Sequence, residues 1–186
     1  MLITITTKYL YNVRKALLAV VVASLMAFNS GAQTQNPEFK VKAVFLYNFS
    51  RFVEWPAEVF TNATDPFVIG VYGENKFGTS LEEAVKGEKI DQHPIIVKYF
   101  TAASEVINCN ILYVSSSNKE EIKEVITNVG SKSILTVGDS PVFPKFGGMI
   151  RFFTQDDKIR FQINDEAAKA ARLKISSKLL SVAQIF

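Results

Sequence analysis

The sequence predicts an α/β fold: a single domain of three layers, with a mostly parallel sheet flanked by helices and a C-terminal β-hairpin followed by a terminal helix. Three observations predict it. From Pro66 onward, apolar strand-like runs alternate with short amphipathic helical stretches in the order strand, helix, strand, strand, helix, strand, the pattern of crossover units. Near the end, two strand-like runs, from Met149 to Thr154 and from Lys158 to Ile163, are joined only by Gln155-Asp156-Asp157, a polar link of hairpin length. Between them the chain shows no internal repeat, low-complexity tract or interdomain linker, so one core is expected.

The first 32 residues stand apart from that fold. Lys8, Arg14 and Lys15 precede a largely apolar run over residues 16–28, and Ser30-Gly31-Ala32 places small residues where a signal peptidase reads. The run is shorter than the ~20 residues needed to cross a bilayer. It reads as a secretory signal, residues 1–32, cleaved to leave a domain over residues 33–186. Removing it changes the charge argument. The 21 basic and 18 acidic residues of the whole chain become 18 and 18 once the three basic side chains of the signal are subtracted. The basic character therefore belongs to the leader and gives no argument for nucleic-acid binding. A single cysteine, Cys109, cannot form an internal disulfide. Its place ahead of a strand reads as a half-buried thiol.

Glu38 to Glu54 is expected to form a long helix with Val41, Val44, Phe45, Asn48, Phe49 and Phe52 on its core-facing side, ended by Trp55-Pro56. Residues 67–72 form a buried strand, 77–86 a short helix closed by Gly87, 95–99 the next strand and 111–115 a third. The turn Ser115-Ser116-Ser117-Asn118 caps a helix over 119–129, with Ile122, Val125, Ile126 and Val129 on one face and Gly130 at its end. Residues 133–137 are the fourth strand. After the hairpin, Asn164 caps an Ala-rich helix over 165–171. A last helix starting at Ser176 or Ser177 is expected to dock Leu179, Leu180, Val182, Ala183 and Ile185 into the core.

The residues carry little reactive chemistry. The glycines at 70, 73 and 78 lie at a strand-to-helix turn, where a phosphate can bind, but their spacing is not that of a dinucleotide fingerprint. His93, the only histidine, and Cys109 do not make a zinc set. No Gly-x-Ser-x-Gly elbow is present, and Ser115 to Ser117 have no identifiable base. No catalytic residue, metal ligand or cofactor site is assigned, and the chain reads as a protein that binds and not as an enzyme.

The blocks Lys42-Ala-Val-Phe-Leu-Tyr-Asn-Phe-Ser-Arg-Phe-Val-Glu-Trp-Pro56, Phe67-Val-Ile-Gly-Val-Tyr-Gly73 with Phe77-Gly78, and Cys109 before its strand resemble successive parts of the YfiR family of periplasmic proteins (YfiR/HmsC-like). Ile134-Leu-Thr-Val-Gly-Asp139, Phe146-Gly-Gly-Met-Ile150, Arg160-Phe-Gln-Ile-Asn164 and Leu173-Lys-Ile-Ser-Ser-Lys-Leu-Leu180 continue the series. The resemblance covers essentially the whole exported chain. It implies a periplasmic regulatory protein that docks on the sensor domain of an inner-membrane protein, in the best-understood case a diguanylate cyclase. Docking holds down cyclic-di-GMP synthesis and biofilm formation. It further implies a homodimer, and sequestration by an outer-membrane lipoprotein.

The resemblance also points to a small-molecule ligand and to the residues that would hold it, in the last hairpin strand and before the final helix. These are Arg160, Gln162, Lys174 and Ser176 here. Gln162 and Ser176 stand where relatives can carry an acidic residue and a histidine, while Lys174 keeps a positive charge. Tyr47, Arg51 and Trp55 are the candidates for a partner-contacting surface. Some relatives use disulfides, and with Cys109 alone only an intermolecular bond is open. Other readings of the same fold are a periplasmic small-solute binding protein, a sensor module for a histidine kinase, and a flavodoxin-like enzyme.

Overall fold

The structure, a computed structural model, describes residues 36–186, so the expected signal segment lies outside the described residues. The chain runs α1 (Pro37–Phe52), β1 (Val53–Glu54), β2 (Phe67–Gly73), α2 (Ser80–Val85), β3 (Lys89–Ile90), β4 (His93–Phe100), β5 (Ile111–Ser115), α3 (Lys119–Val129) and β6 (Leu135–Gly138). It continues with β7 (Ile150–Gln155), β8 (Lys158–Ile163), α4 (Asp165–Ala170), β9 (Lys174–Ile175), α5 (Ser177–Leu180) and β10 (Gln184–Ile185). Eight strands form one sheet in the order β10-β8-β7-β6-β5-β2-β4-β3, and β1 pairs with β9 in a separate ribbon. The central strands β4, β2, β5, β6 and β7 are parallel; β8 and β3 run antiparallel to their neighbours β7 and β4.

Alternation along the strands divides the core between the two faces of the sheet. Phe67, Ile69 and Val71 of β2 and Ile111 and Tyr113 of β5 join the larger cluster beneath α1, α2 and α4. Val68, Tyr72, Leu112 and Val114 point the other way, onto α3 and Phe143. α1 is anchored by Phe49, which is fully buried with its ring 5.3 Å from Phe161 and 5.8 Å from Phe152. α3 starts where its sequence says it should: Asn118 Oδ1 accepts from the amides of Glu120 (2.9 Å) and Glu121 (3.3 Å), and Gly130 ends the helix at φ 55°. The hairpin link tightens to two residues. Asp156 and Asp157 both have positive φ, which gives the turn whose twist matches the strands, and Gln155 pairs with Lys158.

Three expectations are corrected. The core-facing side of α1 holds only in part: Phe49 is buried and Phe45 packs against the core as expected, but Val41, Val44 and Phe52 are exposed, and Phe39, Lys42, Ala43, Leu46 and Ser50 are buried instead. The helix is apolar on both sides, so helical periodicity alone could not choose between them. It also ends at Phe52, because Val53 and Glu54 are drawn into pairing with Ile175 and Lys174, and the Ser176 amide donates to the Phe52 carbonyl at 2.9 Å. The terminal helix is a single turn. Ser176 caps it, but the chain then extends so that β10 covers the outer edge of β8, leaving Val182, Ile185 and Phe186 exposed. Satisfying a sheet edge outweighs adding a second helical turn there.

Candidate functional site

An open depression lies where α1 gives way to β1. Its volume is about 590 Å³, and Ser50, Arg51, Glu54, Trp55, Phe60 and Phe67 share its wall with Lys89, Ile90 and Asp91. A second depression of about 450 Å³ continues past the same Trp55, Phe60 and Asp91 to Thr61, Asn62 and His93. The two share an aromatic floor. The Trp55 ring stands edge-on to Phe67 at 4.9 Å, and Phe60 stacks flat on His93 at 3.7 Å.

Local chemistry fixes that floor. Asp65 closes the loop after Phe60 by accepting from the amides of Thr61 (2.9 Å) and Asn62 (2.8 Å) and from the Asn62 side chain (3.1 Å), hydrogen bonds that hold its carboxyl below the usual range. The Asp65 carbonyl lies 2.6 Å from His93 Nδ1. A carbonyl only accepts, so that nitrogen carries the proton, and the ring is pinned against Phe60. Trp55 Nε1 is hidden from solvent and has no acceptor among the described residues. An indole N–H in that condition is costly until something accepts from it.

The three residues expected to form a partner surface come together at this cleft. Arg51 and Trp55 line it, and Arg51 lies 5.9 Å over the ring of Tyr47. The Tyr47 hydroxyl donates to Glu88, next to Lys89 of the cleft wall. That carboxylate, followed by burial, raises the Tyr47 hydroxyl above its ordinary value. The four residues expected at a ligand site have different partners. Lys174 reaches the cleft through a 3.0 Å ion pair with Glu54, and Ser176 is occupied in capping α5. Gln162 instead accepts from Arg151 Nη1 at 3.2 Å, on the main sheet, and Arg160 is exposed opposite Phe153.

Cys109 is buried, not half-buried, and its thiol donates to the Val106 carbonyl. Burial pushes it up to about 12, which removes it from thiolate chemistry at neutral pH. The glycine turn is also structural. A Cβ on Gly73, at φ 89°, would sit 2.8 Å from the Ser115 carbonyl oxygen. Among the described residues no group of three or more His, Cys, Asp or Glu is placed to hold a metal ion. Sequence reasoning missed Phe60, Lys89, Asp91 and the role of His93, which only the register of β2, β3 and β4 brings to Trp55.

The sequence model of the YfiR/HmsC-like family matches residues 39–184, nearly the whole of the described chain. The chain belongs to the YfiR/HmsC-like family. No curated protein matches it. Among the described residues no helix is long and apolar enough to cross a membrane.

Proposed function

We propose that this member of the YfiR/HmsC-like family is an exported regulatory protein that docks on the periplasmic domain of an inner-membrane sensor, a diguanylate cyclase, and holds its activity down. Family membership is consistent with a periplasmic regulator of cyclic-di-GMP signalling. The observation that carries the docking site is the Trp55 cleft: an open aromatic floor, an unpaired indole N–H, and a rim of mixed charge from Arg51, Glu54, Lys89 and Asp91. Such a patch resembles the centre of a protein interface, where an aromatic anchor is desolvated inside a polar rim. A sensor segment with an apolar side chain for the Trp55 and Phe60 rings and an acidic side chain for Arg51 fits it.

Repression then follows from binding one state of the sensor better than the other. An outer-membrane lipoprotein that competes for the same free protein relieves it. The bare outer stripe of α1, with Val41 and Val44 exposed beside Phe45, supports a homodimer as the working unit. Deleting the gene is expected to raise cellular cyclic-di-GMP and adhesion. The native gene restores them, and Trp55→Ala or Arg51→Glu, exported at equal level, does not. Unchanged cyclic-di-GMP in the deletion strain would overturn the proposal.

A further inference from the structure

A second pocket, separate from the Trp55 cleft, opens where β6 ends. It holds about 360 Å³ and is walled by Glu38 and Lys42 of α1, by Asp139 just beyond β6, and by Arg151, Phe153 and Thr154 of β7. In open α/β sheets, ligands collect at the carboxyl ends of parallel strands, and this pocket lies at such an end. β6 pairs with β7 only as far as Gly138 with Arg151, while β7 runs on to Gln155. Among the described residues no strand pairs with that overhang on the β6 side.

The charges on the walls are specific. Lys42, 3% exposed in its side chain, is bound by Glu38 at 2.6 Å and by Asp139 at 3.0 Å. One ammonium therefore serves two carboxylates, and that wall keeps one negative charge. Tyr113 donates to the same Asp139 oxygen at 2.8 Å but carries no charge. Across the pocket Arg151 has no carboxylate partner among the described residues. Its Nη1 is used by Gln162, its guanidinium lies 5.7 Å from the Phe153 ring, and its Nε is hidden, with no acceptor among the described residues. The pocket thus offers one uncompensated anion and one guanidinium without a carboxylate. Its remaining terminal nitrogen can donate to a carboxylate.

We propose that this pocket binds a small dipolar molecule bearing a primary amine and a carboxylate, with the carboxylate on Arg151 and the ammonium between Glu38 and Asp139. A lone anion would meet Glu38 and Asp139, and a lone cation would meet Arg151; only a molecule with both charges is matched on both walls. The two sources of that chemistry are a free amino acid and a short peptide, which would add backbone hydrogen bonds to the overhang of β7.

The test is calorimetric titration of the exported protein with glycine, β-alanine, γ-aminobutyrate and glycylglycine, with acetate and methylammonium as single-charge probes. At least one dipolar probe is expected to bind ten-fold or more tighter than either single-charge probe. A preference for glycylglycine would assign a peptide, and a preference among the single amino acids a free one. Arg151→Gln is expected to weaken that probe at least ten-fold. Should it fail to fold, Glu38→Gln, on the exposed side of the ion cluster, is expected to weaken it as well. Binding of acetate as tight as that of every dipolar probe, equal affinity in the folded variants, or no binding of any probe would overturn the proposal.

Discussion

Replacing Lys42 with Met tests how the fold holds α1 over the end of β6. Met keeps most of the aliphatic stem, so packing changes little and the loss is electrostatic. The Glu38 carboxylate is 41% exposed, so its contact counts only as a helix-surface pair, about 0.3–0.5 kcal/mol. Asp139 is 30% exposed, and its hydrogen bond from a buried ammonium contributes about 1.5–3 kcal/mol. Removing a fully buried partner would cost more, about 3–5 kcal/mol, but Asp139 can draw water and keeps the bond from Tyr113. The expected loss is therefore about 2–3 kcal/mol. For a domain of this size that lowers Tm by roughly 4–12 °C in a scanning calorimeter.

Adding Asp139→Asn to Lys42→Met removes the stranded charge and should return about 1 kcal/mol, so the double variant melts above the single one. A Lys42→Met protein within 0.5 °C of the parent would refute the reasoning. So would a double variant that melts lower than the single by the full cost of each change.

Cys109 should resist alkylation at pH 8 about a thousand-fold better in the native protein than in urea, since a thiol pushed up to about 12 is almost wholly protonated there; equal rates measured by mass spectrometry would contradict this. The same group gives a sign for alkaline stability. Its folded value lies above its unfolded one, so its contribution is whole below about pH 9 and is lost as pH climbs toward about 12; urea midpoints should fall over that window and fall less in Cys109→Ala. Gly148→Ala would place a Cβ 2.2 Å from the ring of fully buried Phe143, which is itself pressed against Gly138, so Tm should drop by an amount matching about 1–3 kcal/mol; an unchanged Tm would show that the ring can yield. Trp55→Phe keeps an aromatic ring but replaces the larger indole, with its N–H, on the cleft floor. Stability should fall by about 1–2 kcal/mol from the lost packing while sensor binding weakens, and a variant that binds as well as the parent would remove the indole from the interface.

The strands and caps of this chain were legible because their signals are local. The apolar runs of β2 and β5, Asn118 and Asn164 at helix starts, and the two aspartates of the hairpin each act within a few residues. The register of α1 was not, because Lys42 is buried by ion pairs to Glu38 and to Asp139, 97 residues away, while Val41 and Val44 stay outside. The end of α1 was set by β9, and the form of the last residues by the edge of β8; both are decisions made by distant strands.

The Trp55 cleft was half visible in the same way. Tyr47, Arg51 and Trp55 follow helical spacing, but Phe60, His93 and Asp91 join them only through the sheet. Lys174 was found on its motif, yet its partner Glu54 could not be, since nothing in either segment names the other.

The central claim is that this surface is occupied by a membrane sensor. A photo-crosslinking amino acid placed at Arg51 in the exported protein, activated in intact cells, tests it directly. The account predicts an adduct with an inner-membrane protein that has a periplasmic domain, lost when Trp55→Ala is added. Adducts with the protein's own copies alone, or an adduct unchanged by Trp55→Ala, would contradict it.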